Sequence, residues 1–190
     1  MTEPRECVIP IHRPNLGELA FFFACGVIMS VPITLFISGF ADPLLTGLNG
    51  FTSALIATAI FAPLIEEFSK IFPLYYRHGE TQRSIMNLAL AVGLGFGLVE
   101  FITYVVLEGV PIPFRLSGLL FHPASTSIAA YGIATKKPLP YYALAVGLHF
   151  ANNFLVLTFP PPFSASIIIV AVTLWIAWTL YRRTKEKFIV

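Results

Sequence analysis

Residues 61–76, "FAPLIEEFSKIFPLYY", place two adjacent glutamates and a lysine inside an otherwise apolar run. A charged side chain at the centre of a membrane helix costs about 2.5–3.5 kcal/mol, and a Leu, Ile, Phe or Val returns only about 0.3–0.6 kcal/mol. Glu66, Glu67 and Lys70 therefore need partners inside the membrane. The rest of the chain puts them there. Of its 190 residues 56% are hydrophobic and only 12% charged, and the mean hydropathy is +0.79. Soluble domains carry about a quarter charged residues. The composition specifies an integral membrane protein.

Breakers rich in Pro, Gly and charge divide the chain into six apolar segments: residues 16–39, 51–76, 84–107, 114–134, 139–159 and 163–181. Each approaches the ~20 residues that cross a bilayer as a helix. Backbone groups at membrane depth must be satisfied within the chain, so the segments are expected to be helices. The expected fold is all-α and polytopic, one transmembrane domain over residues 1–190 with about six transmembrane helices. No internal repeat is visible. The first apolar run is too long for a cleavable signal and is taken as a retained helix. Cys7 and Cys25 have no metal-binding spacing, and a structural disulfide between them is not expected.

Basic residues segregate. With six spans, the side holding both termini carries Arg5, Arg13, Arg77, Arg83, Lys136, Lys137, Arg182, Arg183, Lys185 and Lys187, and the other side only Arg115. The positive-inside rule then makes both termini cytoplasmic in a multi-pass protein of the cell membrane. A net charge of +2 leaves no nucleic-acid footprint.

Intramembrane ionisable groups are functional by default. Glu66 and Glu67 diverge by about 100° on a helix, and Lys70 can reach either. One carboxyl is expected to do chemistry while the other bonds Lys70 or a neighbouring helix; an ion-pair staple is the plainer reading. Glu100 ends "GLGFGLVE", where Gly93 and Gly97 permit close helix approach. His122 precedes Pro123, which predicts a kink or break in the fourth span. His149 and Asn153, four apart, can donate hydrogen bonds to an oxyanion or serve as interhelical glue. The polar residues come from the second to fifth segments, which predicts a four-helix catalytic core over residues 51–159. The segments at 16–39 and 163–181 would cover it.

In this order "EEFSK", "FGLVE", "HPAST" and "HFANN" resemble the motifs of the PrsW family of intramembrane proteases, relatives of the CAAX-processing endopeptidases. The resemblance spans about residues 60–155. CAAX-type enzymes carry EExxxR and FxxxH; here Lys70 stands one position earlier and Glu100 replaces the histidine, which points to the PrsW branch. The resemblance implies an intramembrane endopeptidase acting on a membrane-protein substrate. Glu66 would be the base, His149 and Asn153 the oxyanion donors, and Glu100 or His122 the group that positions water or protonates the leaving amine. Glu67 would brace the second helix. No cofactor is expected. A metal-dependent version would use Glu66, Glu100, His122 and His149 for Zn²⁺. A proton-coupled transporter or a non-catalytic membrane subunit is the competing class, since either could hold the same polar cluster.

Overall fold

The protein's structure, a computed structural model, describes residues 12–76, 81–159, 166–187 and 189. Arg5, Cys7, Arg77 and Phe163 lie outside those residues. Six helical segments follow one another: α1 (Leu16–Leu45), α2 (Gly50–Tyr76), α3 (Gln82–Leu107), α4 (Ile112–Ala134), α5 (Pro138–Thr158) and α6 (Ser166–Arg183). Asn15 caps α1 by accepting from Glu18 N, and the Glu18 carboxylate returns a bond to Asn15 N, a closed capping box. Asn49 and Thr81 cap α2 and α3 in the simpler way.

Four of these helices, α1, α2, α3 and α6, are both long and apolar enough to cross a membrane. The protein is thus an all-α, multi-pass membrane protein. The 23 residues of α4 and 21 of α5 would extend about 34 and 31 Å, enough for the ~30 Å hydrocarbon core. They miss the composition because of their polar residues: Arg115, His122, Ser125, Thr126 and Ser127 on α4, His149, Asn152 and Asn153 on α5.

Small residues set the helix contacts. A Cβ on Gly93 would stand 2.7 Å from His122 O and 2.8 Å from Pro123 N; one on Gly97 would stand 3.3 Å from the His122 ring. The two glycines let α3 lie directly on α4 at the histidine. Gly95, on another face of α3, admits the backbone of α1 at Phe23, and Gly26 admits α3 at Val92. The centre of α4 is buried continuously from Ala124 to Ala130, against α3, α5 and α6. The outer surface is apolar, with Phe36 70% and Trp175 68% exposed, as a lipid-facing surface should be.

The expected break at His122–Pro123 is absent: α4 runs as one helix through Pro123. Gly93 supplies the room the ring needs, and the hydroxyls of Ser125 and Thr126 bond the His122 carbonyl at 3.2 and 2.7 Å. The carbonyl that Pro123 deprives of a donor is that of Leu119, four residues back, and neighbouring helices commonly accommodate such a proline.

The segregation of basic residues has a structural counterpart. Arg13 pairs with Glu186 at 3.5 Å. Ser84 Oγ donates to His12 O, and Arg83 donates to Thr184 O at 2.7 Å. Backbone bonds join Gln82 to Lys187 and Arg83 to Lys185. The start of α1, the start of α3 and the end of α6 therefore share one face.

Candidate active site

The opening stretch becomes the second half of α2, where Glu67 and Lys70 are completely buried. Glu67 Oε1 is the hub. It accepts from Lys70 Nζ at 2.6 Å, His149 Nδ1 at 2.8 Å and Ser125 Oγ at 3.0 Å. Lys70 has two further directions. One leads to His122 Nδ1 at 3.0 Å, the other to the Phe96 ring, whose centroid is 5.0 Å away. His122 Nε2 bonds Glu100 Oε2. Glu100 Oε1 meets Arg115 at 3.1 Å, and the Arg115 guanidinium lies 3.6 Å over the Tyr104 ring. One chain of contacts thus runs Arg115, Glu100, His122, Lys70, Glu67, His149, with links from α2, α3, α4 and α5.

Hydrogen-bond logic fixes the protons. An ammonium only donates, so His122 Nδ1 accepts from Lys70 and Nε2 carries the hydrogen given to Glu100. Glu67 Oε1 accepts from an ammonium and a hydroxyl, so His149 donates to it from Nδ1. Neutral His149 then presents a bare Nε2 on its other edge. That edge faces Glu66 Oε2 at 3.8 Å.

Charge counting isolates Glu66. Lys70 answers Glu67 and Arg115 answers Glu100. Glu66 is the third carboxyl and has no cation of its own among these pairs. Its buried Oε2 has no hydrogen-bond partner. Glu67 Oε2 is also unbonded, but on a carboxyl already anchored three times through its other oxygen.

Asn153 stands apart from the chain. Its Nδ2 donates to Thr58 O at 2.9 Å, and its Oδ1 accepts from Asn152 at 3.2 Å. The reason is local to α2. Residues Ile56–Phe61 form a π-helical turn in which Ala62 N bonds Ala57 O instead of Thr58 O. The next donor in that register is Pro63, which has no N–H. The Thr58 carbonyl is left without a helical donor, and Asn153 supplies one from α5.

Tyr142 makes a parallel tie, donating to Leu64 O at 2.7 Å. Beside it an apolar cavity of about 350 Å³ opens between α2 and α5, lined by Ala59, Leu64, Val146 and Phe150 among others.

The structure therefore gathers Glu66, Glu67, Glu100, His122 and His149 and sends the Asn153 amide to the backbone of α2. Sequence reasoning missed Arg115, Ser125 as a Glu67 ligand, Tyr142 and Thr58. Arg115 could have been found: it precedes His122 by seven residues, two helical turns, and so shares its face.

A metal is the alternative use of these groups. Among the described residues no three His, Cys, Asp or Glu side chains converge as a metal set requires. Both nitrogens of His122 are engaged, one by the cationic Lys70. Among the described residues, these side chains as arranged do not fit a metal.

Comparison with known proteins gives a family. No curated protein and no solved structure matches the chain. Residues 15–180 match the model described as PrsW family intramembrane metalloprotease. That span takes in α1 through almost all of α6 and all of the ionisable chain, and so the protein belongs to the PrsW family of intramembrane proteases.

Proposed function

We propose that the protein hydrolyses a peptide bond of a membrane-protein substrate with a water activated by Glu66. The observation that carries this reading is the pair Glu66 Oε2 and His149 Nε2, two acceptors 3.8 Å apart. That spacing suits the two hydrogens of one water, one given to each acceptor, with the oxygen lone pairs left free to attack. Attack on the carbonyl carbon transfers one water proton to Glu66. Collapse of the tetrahedral intermediate breaks the C–N bond, and the proton passes from Glu66 to the leaving nitrogen. The products are a carboxylic acid and an amine, and Glu66 returns to its starting state. His149 orients the water, and Glu67 holds its ring by the Nδ1 bond. This assigns His149 an acceptor's part, unlike the oxyanion donor that the CAAX enzymes suggest.

The cavity between α2 and α5, the helices that carry Glu66 and His149, is apolar, the character required for entry of a membrane-embedded segment. All six helices cross the membrane in this reading, with the face shared by residues 12–15, 81–84 and 184–187 in the cytoplasm. A proton-coupled transporter fits less well, since Arg115, Glu100, Lys70 and Glu67 pair off within one cluster and the sequence shows no internal repeat of the kind common in transporters.

The test is purified protein in lipid nanodiscs incubated with single-span membrane proteins, wild type against Glu66→Gln, each with and without a chelator. Cleavage by wild type that survives chelation and is lost in Glu66→Gln supports the reading. Cleavage abolished by the chelator and restored by Zn²⁺ replaces it with the metal-dependent form.

A further inference from the structure

We infer that Arg115 is a positioning residue for the active site, acting through Glu100 to fix the hydrogen of His122 on Nε2. Its effect on cleavage rests on the proposed protease reading; its effect on the ring does not.

Arg115 belongs to none of the four motifs and, among the described residues, is set apart from the other arginines and lysines of the loops and termini, which the six-span pattern places on the opposite side. It is nonetheless drawn inward. Its side chain is only 20% exposed, it contacts Glu100 Oε1 at 3.1 Å, and Tyr104 supports the guanidinium face at 3.6 Å. Gly118, one turn along α4, lies beside the pair: a Cβ there would sit at ordinary contact distance, 3.8 Å from the guanidinium and 4.0 Å from Glu100 Oε2.

The consequence passes along the chain of contacts. Paired with Arg115, Glu100 is an acceptor at both oxygens, so His122 Nε2 must donate to it. His122 Nδ1 is then bare and accepts from Lys70, which also donates to Glu67. Without the guanidinium, Glu100 would hold its charge at membrane depth with no cation, a costly state. The neutral acid would donate to Nε2 instead. The ring hydrogen would move to Nδ1 and meet the Lys70 ammonium donor against donor. Lys70 would have to turn away, and Glu67 and His149 would lose the geometry that aims Nε2 at Glu66. The other charged and titratable groups facing His122 are Lys70 and, at a ring-centroid distance of 5.6 Å, His149.

The experiment is nitrogen NMR of histidine-labelled full-length protein in nanodiscs, with the His122 signals assigned by their loss in His122→Asn. Wild type should show His122 protonated at Nε2 and bare at Nδ1. Arg115→Gln should move the ring population toward Nδ1–H or the doubly protonated ring and lower kcat by roughly tenfold or more with little change in KM. Arg115→Lys should retain much of both. If Arg115→Gln does not fold, Tyr104→Leu, which removes the support under the guanidinium, should shift the same signals part of the way. A wild-type ring protonated at Nδ1 overturns the inference. So does a ring unchanged in the variants, even if cleavage is lost, or a shifted ring with cleavage intact. If wild type cleaves none of the substrates, the protease reading fails, while the nitrogen spectra still decide whether Arg115 sets the tautomer.

Discussion

Glu66 and Glu67 are consecutive on α2, and the helix turns them to different surroundings. Glu67 faces the centre of the bundle, where a lysine, a histidine and a serine from three helices converge on one of its oxygens. Glu66 faces the α5 side with a buried oxygen that bonds nothing and an imidazole nitrogen 3.8 Å away. A carboxylate with three donors and a salt bridge is held in place, since each donor would be left unsatisfied if it moved. A carboxyl without a counter-charge is free to take up and release a proton. In the proposed mechanism the contrast makes Glu67 the structural acid of the pair and Glu66 the chemical one, and it can be broken from either side.

The largest effect should come from Lys70→Met. Lys70 is completely buried and joins Glu67 to His122. Removing one partner of a buried pair leaves the other charge uncompensated and costs about 3–5 kcal/mol. Thermal unfolding in detergent should show a much lower midpoint, with activity lost because folded protein is lost. A midpoint equal to wild type would mean that Glu67 is not the braced member.

Glu66→Gln should act in the opposite manner. The amide keeps the volume and one acceptor but cannot take a proton from water. Cleavage should fall by roughly 10²-fold or more, and the unfolding midpoint should stay close to wild type because no existing bond is cut. A variant that cleaves like wild type, beside a folded but inactive Glu67→Gln, would exchange the two roles. Full activity in both would remove the glutamate mechanism.

The helical segments were legible in the sequence because the 3.6-residue helix in lipid needs long apolar runs, and short Pro- and Gly-rich breaks separate them. The polar residues were legible for the complementary reason: Glu66, Lys70, Glu100, His122 and His149 stand out against that background. Gly93 and Gly97 were readable as a close-approach face, and they meet α4 as expected. What a linear pattern does not carry is which hydrogen goes where. Lys70 could reach either glutamate by spacing, and only the fold shows that it takes Glu67. Pro123 signalled a break that Gly93, thirty residues away, makes unnecessary. Arg115 entered the sequence reading only as the basic residue of its side, because its partners Glu100 and Tyr104 lie on another helix. For Asn153 the sequence offered an interhelical hydrogen bond as one reading, and the amide makes one; its partner was not legible, because it depends on a π-helical turn in α2 that no residue pattern announces.

That π turn supports the smallest prediction. In Asn153→Ala the Thr58 carbonyl loses its donor, and Pro63 prevents the α2 backbone from supplying another. Interhelical hydrogen bonds in membranes average about 0.6 kcal/mol and reach about 1.7 kcal/mol. An anchoring role therefore predicts a loss in that range, seen as a modest fall in the unfolding midpoint. It also predicts a cleavage loss of less than about tenfold, since Glu66 moves only as far as the loosened turn allows. An oxyanion role predicts the reverse, a fall of roughly 10²–10³ in kcat with stability nearly unchanged. Asn153→Asp sharpens the choice: the acid keeps the size and either repels Thr58 O as a carboxylate or donates to it when protonated. Unfolding midpoints that fall as the pH rises, with cleavage following stability, would mark the anchor. A kcat collapse in both variants at wild-type stability would return the amide to the reacting carbonyl and remove Thr58 as its purpose.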